Sequence, residues 1–176
     1  MQRIFFIGYM GAGKTTMGKE FSMQTGLSFI DLDVFIENRY HKTIRQIFEE
    51  KGETAFREIE RKALHEVADI ENTVISTGGG TPCFFDNMTF MNEKGTTVYL
   101  KVSIDELARR VELNKNARPV LKNLSGDGLK QFISKTLAER SVYYEQAKII
   151  FEAEQMITEN DVAGLCRKLQ QYCTES

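Results

Sequence analysis

The chain has 176 residues, with 23 Lys plus Arg against 25 Asp plus Glu, 41% hydrophobic residues and no Trp. That length suits one domain, residues 1–176, with a real core, and the composition excludes disordered, collagenous and disulfide-rich scaffolds. A net charge of −2 argues against nucleic-acid or membrane-surface binding by bulk attraction, but leaves room for a local basic pocket.

No stretch reaches the roughly 18 apolar residues of a membrane-spanning helix. Cys83, Cys166 and Cys173 are odd in number and widely spaced, which argues against a disulfide framework or structural zinc and for a reducing, cytoplasmic setting. The chain opens on Arg3-Ile4-Phe5-Phe6-Ile7-Gly8, too short an apolar run for a signal-peptide core and apt for a buried strand at 4–7. Next comes Gly8-Tyr9-Met10-Gly11-Ala12-Gly13-Lys14-Thr15, which fits G-x4-G-K-[ST] between a strand and a predicted helix at 15–24. Glycines bring backbone N–H groups close to phosphate oxygens, and the helix N-terminus adds partial positive charge. Lys14 can reach the β- and γ-phosphates, and the Thr15 hydroxyl can ligate Mg²⁺. Nucleoside triphosphate binding follows, with ATP and Mg²⁺ as the expected pair.

Gly26 supplies the helix stop, and a second strand at 28–31 ends in Asp31-Leu32-Asp33. Alternate strand residues share a face, so both carboxylates could enter one cleft; equally, Asp33 could simply N-cap the next helix. Helices are predicted at 33–40, 43–51 and 53–69, the last with Phe56, Ile59, Ala63 and Val67 at helical spacing. Arg57 borders that stripe among Glu53, Glu60 and Arg61, the pattern of a solvated, ion-paired face as well as of a site. A third strand at 73–76 runs into Gly78-Gly79-Gly80, either a flexible turn or bare backbone needed against a ligand. Further helices are predicted at 86–93, 105–113, 128–146 and 161–172, with strands at 97–102 and 149–151. This alternation implies an α/β sandwich with parallel pairing. The polar segment 114–126, with Arg118-Pro119, reads as a lid or a disordered loop.

Together these motifs resemble those of the shikimate kinases. The phosphate loop is followed by Asp31-Leu32-Asp33, Ile36-Glu37, Ile44, Ile47-Phe48, Gly52-Glu53, Phe56-Arg57 and Glu60, then by the triple glycine, Arg118-Pro119 and Arg140-x-x-x-Tyr144. The resemblance implies a five-stranded parallel sheet of order 2-3-1-4-5, of the P-loop nucleoside-monophosphate-kinase type. By the same resemblance, residues 33–70 form the substrate-binding helical region, with shikimate held by Asp33, Arg57, Gly79, Gly80 and Arg140. Nucleotide falls to Gly11, Ala12, Gly13, Lys14, Thr15 and Thr16, with Arg118 as the lid arginine and Arg109 or Arg110, Arg110 favoured, against the adenine. Mg²⁺ falls to Thr15 and, through water, to Asp31, with Ser76 near, and Glu60 orients Arg57. Catalysis would rest on Lys14, Asp33 and Arg118, with shikimate and ATP as the partners of a monomer. The residues after the last strand, Glu152-Ala153-Glu154-Gln155-Met156, depart from the polar, cation-containing adenine loop that the family leads one to expect. Thr81-Pro82-Cys83 is also unusual, and Cys83 either lines the pocket or is an inert buried thiol. A gluconate-type kinase of the same fold and a silent nucleotide-binding module are the rival readings.

Overall fold

Ile4, Phe5, Phe6 and Ile7 are fully buried because their strand, β1 (Arg3–Ile7), is the middle of five. The computed structural model describes residues 2–113, 124–156 and 158–174. Its other strands are β2 (Ser28–Asp31), β3 (Thr73–Ser76), β4 (Thr96–Lys101) and β5 (Ile149–Glu152), all in one parallel sheet of order β2-β3-β1-β4-β5. Central strands of a parallel sheet are covered on both faces, which is why Ile4–Ile7 of β1 read as a continuous apolar run and all four residues of β3 are buried.

The connections carry α1 (Lys14–Thr25), α2 (Leu32–Tyr40), α3 (Ile44–Val67), α4 (Asn87–Lys94), α5 (Ile104–Leu113) and α6 (Gly126–Tyr144), and α7 (Glu159–Thr174) follows β5. Right-handed crossovers put α1, whose connection runs leftward to β2, on one face and the helices of the rightward connections on the other. The contacts of α1 with α7, of α2 with α3 and of α5 with α6 agree with that division.

Local chemistry explains the boundaries. Gly26 ends α1 in the left-handed region at φ 74°, donating its N–H to Ser22 O, as a helix-terminating glycine does. The predicted helices 43–51 and 53–69 are one element, α3, interrupted by Gly52 at φ 78° and ψ 170°. A Cβ there would meet nothing within 4 Å, so the residue is required by the backbone angle alone. Thr43 and Gln46 form a capping box at the start of α3. α6 starts at Gly126, inside the segment read as loop, and ends at Tyr144. Residues 114–123, and with them the expected lid and Arg118, lie outside the described residues.

Register brings three strand ends together. Phe6 pairs with Ser76 and Asp31 pairs with Ser76, so the loops after β1, β2 and β3 leave the same edge of the sheet. In open α/β sheets this carboxyl edge is where ligands bind.

Candidate active site

The loop after β1 is built by glycines with unusual backbone angles: Gly8 at φ 140°, Gly11 at 82° and Gly13 at 94°. Gly13 precedes the first residue of α1, so the loop's N–H groups and the helix N-terminus make one anion-receptive cradle. Lys14 Nζ lies over this loop, donating to Gly8 O at 2.9 Å and Tyr9 O at 3.0 Å. Ser76 Oγ donates to Lys14 O at 2.8 Å, tying β3 to the start of α1.

Asp31 is the last residue of β2 and the N-cap of α2. Its Oδ1 accepts from the N–H groups of Asp33 (3.1 Å) and Val34 (3.3 Å), while its Oδ2 accepts the Thr15 hydroxyl at 2.7 Å. The cap is therefore Asp31 and not Asp33, and the two carboxylates do not share a strand face, because the helix has begun by Leu32. Thr15 and Asp31 place two hard oxygen donors side by side at the mouth of the loop, a donor pair that fits Mg²⁺. Among the described residues no group of three His, Cys, Asp or Glu could hold a metal. Such a cation would complete its shell with phosphate oxygens and water, as Mg²⁺ commonly does.

Asp33, in the first turn of α2, faces inward. Burial, then the charges of Asp31 and Glu60, push its carboxyl up to about 6 against the opposing pull of Lys14. Beside it runs the triple glycine, and none of its members has a positive φ. Space, not backbone angle, requires them. A Cβ on Gly78 would sit 3.0 Å from Glu60 Oε1 and 3.1 Å from Asp33 Oδ1, and one on Gly80 would sit 2.7 Å from Arg57 Nη2. One on Gly79 would sit 3.5 Å from Arg140 Nη1.

Arg57 is buried, not on a solvated face: it is 8% exposed, with Glu60 at 1%. Its Nη1 donates to Glu60 Oε2 at 2.8 Å and its Nη2 to Glu53 Oε1 at 3.2 Å. Glu60 Oε1 in turn accepts the Thr81 hydroxyl at 2.6 Å. Burying a guanidinium requires such compensation. From α6, Arg140 reaches to 5.9 Å from the Tyr9 ring centre, and the buried Tyr144 donates its hydroxyl to Gly79 O. Arg140 and Tyr144 are one helical turn apart, which is why both address the same glycine loop. The Cys83 thiol is half-buried and pushed up to about 11 by burial, with the Arg140 and Arg57 charges opposing. It borders the site as an un-ionised thiol.

On the far side of the phosphate loop Arg110 donates to Gly11 O (3.4 Å), Ala12 O (3.3 Å), Ala153 O (2.9 Å) and Glu154 O (2.8 Å). Both arginines pair with Glu106, Arg109 from the surface. Of the two arginines it is Arg110 that borders the nucleotide cradle. Met156 lies directly on Gly13, where a Cβ would come within 2.6 Å of its methyl carbon. The segment after β5 therefore offers a thioether where a polar loop is expected. Thr16 is exposed in the first turn of α1.

The structure thus gathers Lys14, Thr15, Asp31, Asp33, Arg57, Gly79, Gly80, Arg110 and Arg140 along one sheet edge. The sequence names Tyr144 only as the end of the Arg140-x-x-x-Tyr144 pattern and gives Thr81 and Met156 no role of their own. The Arg140–Tyr144 spacing was a usable signal for the first; nothing local marks the others, since their partners are remote in sequence.

A family model described as shikimate kinase matches residues 10–170. The chain is 62% identical over 169 residues to a shikimate kinase of Parabacteroides distasonis, covering 96% of this chain and 98% of that protein. A crystal structure of shikimate kinase from Bacteroides thetaiotaomicron superposes with a TM-score of 0.94 at 50% identity, covering 97% of both chains. Shikimate kinase from Acinetobacter baumannii, solved in complex with shikimate, superposes with a TM-score of 0.86 at 31% identity, covering 99% of this chain and 94% of that one.

Proposed function

The chain belongs to the shikimate kinase family, whose members transfer the ATP γ-phosphoryl group to a shikimate hydroxyl, and from that premise we propose how its own residues perform the reaction. The observation that carries the assignment is the convergence of Asp33, Arg57 and Arg140 on the Gly78–80 loop, beside a phosphate loop on the adjacent strand. Two arginines on one side and a carboxylate on the other suit a ligand that carries a carboxylate and ring hydroxyls. Gly79 and Gly80 leave the room that such a ligand and the two guanidinium groups share.

Asp33 receives the hydrogen bond of the 3-hydroxyl and takes its proton as the new O–P bond forms and the bond to the ADP oxygen breaks. A carboxyl held at about 6 is ionised at neutral pH yet more basic than an ordinary aspartate, which suits that task. Lys14 and the N–H groups of Gly11, Ala12, Gly13, Lys14, Thr15 and Thr16 hold the phosphates in line, and Arg110 borders the base. In a loose phosphoryl-transfer transition state, this positioning and charge neutralisation carry most of the rate. When bound, Mg²⁺ would supply positive charge to the phosphate oxygens, with Thr15 and Asp31 as the residues that would hold it. Arg118 is assigned to the phosphates on the resemblance alone. The enzyme acts as a single-domain monomer in the cytoplasm, with residues 33–70 as its acceptor-binding region.

The test is calorimetry of shikimate binding to Arg57→Ala. Loss of a buried, charge-assisted carboxylate contact costs about 2–3 kcal/mol, so the dissociation constant should rise roughly 30- to 150-fold. Unchanged binding would remove Arg57 from the acceptor site. ADP release measured with shikimate against quinate, gluconate and nucleoside monophosphates separates this activity from related kinases.

A further inference from the structure

Residues 84–86, just past the Thr81–Cys83 turn, straddle α3. The Arg57 guanidinium carbon lies over the Phe84 ring, 4.0 Å from the ring centre. That is closer than the approach of Phe48 at 5.6 Å or Phe56 at 5.3 Å. One turn further along α3, Arg61 lies 5.2 Å from the ring centre of Phe85 and pairs with Asp86 at 2.8 Å. Two consecutive aromatic rings thus address two arginines four residues apart.

Consecutive side chains in extended backbone point in opposite directions. The chain manages the double contact by holding Phe85 at φ 52° while the residue is 53% exposed. A bulky residue in the left-handed region is strained and persists only where its surroundings over-determine it. Here they do: Thr81 N–H bonds Gly78 O, Cys83 N–H bonds Gly80 O, Asn87 N–H bonds Phe84 O, and the buried Asn87 side chain donates to Thr81 O at 2.9 Å. Nothing in the exposed Phe85 contact with Arg61 would by itself justify the strain. The Phe84 contact does, because Arg57 is buried, its Nε has no hydrogen-bond partner among the described residues, and a π-face stabilises the desolvated guanidinium charge.

We infer that Phe84 is a positioning residue for the acceptor-binding arginine: its ring fixes the plane of the Arg57 guanidinium, and the left-handed Phe85 is the device that delivers the ring. Glu60 and Glu53 hold the Nη atoms from the edge while Phe84 holds the face, so Arg57 is pre-oriented before shikimate arrives and loses little freedom on binding. This rests on the reading of Arg57 as a shikimate contact.

The experiment is a double-mutant cycle on steady-state kinetics with Phe84→Leu, Phe84→Tyr and Arg57→Ala, each checked for a native melting transition. Phe84→Leu keeps apolar bulk but removes the π-face. It should raise the shikimate KM about 5- to 20-fold, leave the ATP KM and saturated kcat within twofold, and be largely restored in Phe84→Tyr. In the Arg57→Ala background Phe84→Leu should add less than twofold. Full additivity, or a shikimate KM unmoved by Phe84→Leu while Arg57→Ala raises it, overturns the positioning role and leaves the Arg57 assignment standing. A shikimate KM unmoved by Arg57→Ala overturns both. Should Phe84→Leu fail to fold, Phe84→Met takes its place, with the same outcomes decisive.

Discussion

Asp33, the proposed acceptor of the hydroxyl proton, is a carboxyl whose environment suits that role at the expense of the fold. Burial first, and then Asp31 and Glu60, raise it from 3.8 to about 6. A carboxyl raised in the folded state favours folding most when protonated, so its contribution is complete below 3.8 and is lost as pH climbs through 6. The role proposed for Asp33 in phosphoryl transfer needs the opposite form. The kcat/KM for shikimate should therefore fall about tenfold per pH unit below about 6, over the same window in which this group stabilises the free enzyme. Asp33→Asn separates the two effects. Its turnover should drop about 100- to 1,000-fold with ATP affinity within twofold, while its melting temperature at pH 7.5 rises because a buried carboxylate no longer faces Asp31 and Glu60. A near-normal rate, or an acid limb unchanged in Asp33→Asn, would remove Asp33 from the chemistry.

At the scale of elements, close packing against α1 decides more than helix propensity. Gly18 lies within α1, where alanine is normally the better residue by about 1 kcal/mol. Yet a Cβ at Gly18 would fall 2.5 Å from the Phe29 ring and 2.9 Å from Ser76 Oγ. Ser76 holds the carbonyl of Lys14, so the helix cannot back away without moving the phosphate loop. Gly18→Ala should therefore lower stability by about 1–3 kcal/mol and raise the ATP KM; a thermal melt that shows stabilisation would refute the packing account. This also marks what could be read without coordinates. The strands at 4–7 and 73–76 and the break at Gly52 were legible, because a short run of apolar and β-branched residues and a lone glycine between two helical patterns are local signatures. The phosphate loop was legible because its chemistry is contiguous. The reason for Gly78–80 was not, since the side chains that need the space, Asp33, Glu60, Arg57 and Arg140, come from three helices. Nor was there a physical reason in the sequence for favouring Arg110 over Arg109, for it depends on which side of α5 meets Gly11 and Ala153.

For the whole molecule, the order β2-β3-β1-β4-β5 places the nucleotide cradle and the acceptor site on neighbouring strand ends, and one side chain joins them. Asp31 accepts from Thr15 with one oxygen and caps α2, which carries Asp33, with the other. A divalent cation held at Asp31 would offset one of the charges that raise Asp33, so the proposed acceptor site would gain an ionised carboxylate at lower pH. Binding of Mg²⁺ with a non-hydrolysable ATP analogue should tighten shikimate about three- to tenfold at pH 6 and less at pH 8. Linkage requires shikimate to tighten the nucleotide by the same factor. Asp31→Asn keeps an oxygen for the helix cap but has no charge to neutralise. In that variant the acid limb of kcat/KM should move to lower pH, and the pH 6 coupling should shrink to the factor seen at pH 8. Calorimetry of each ligand with and without the other measures both factors. Equal coupling at pH 6 and pH 8 in the unaltered enzyme would show that Asp31 does not transmit charge between the two halves of the site.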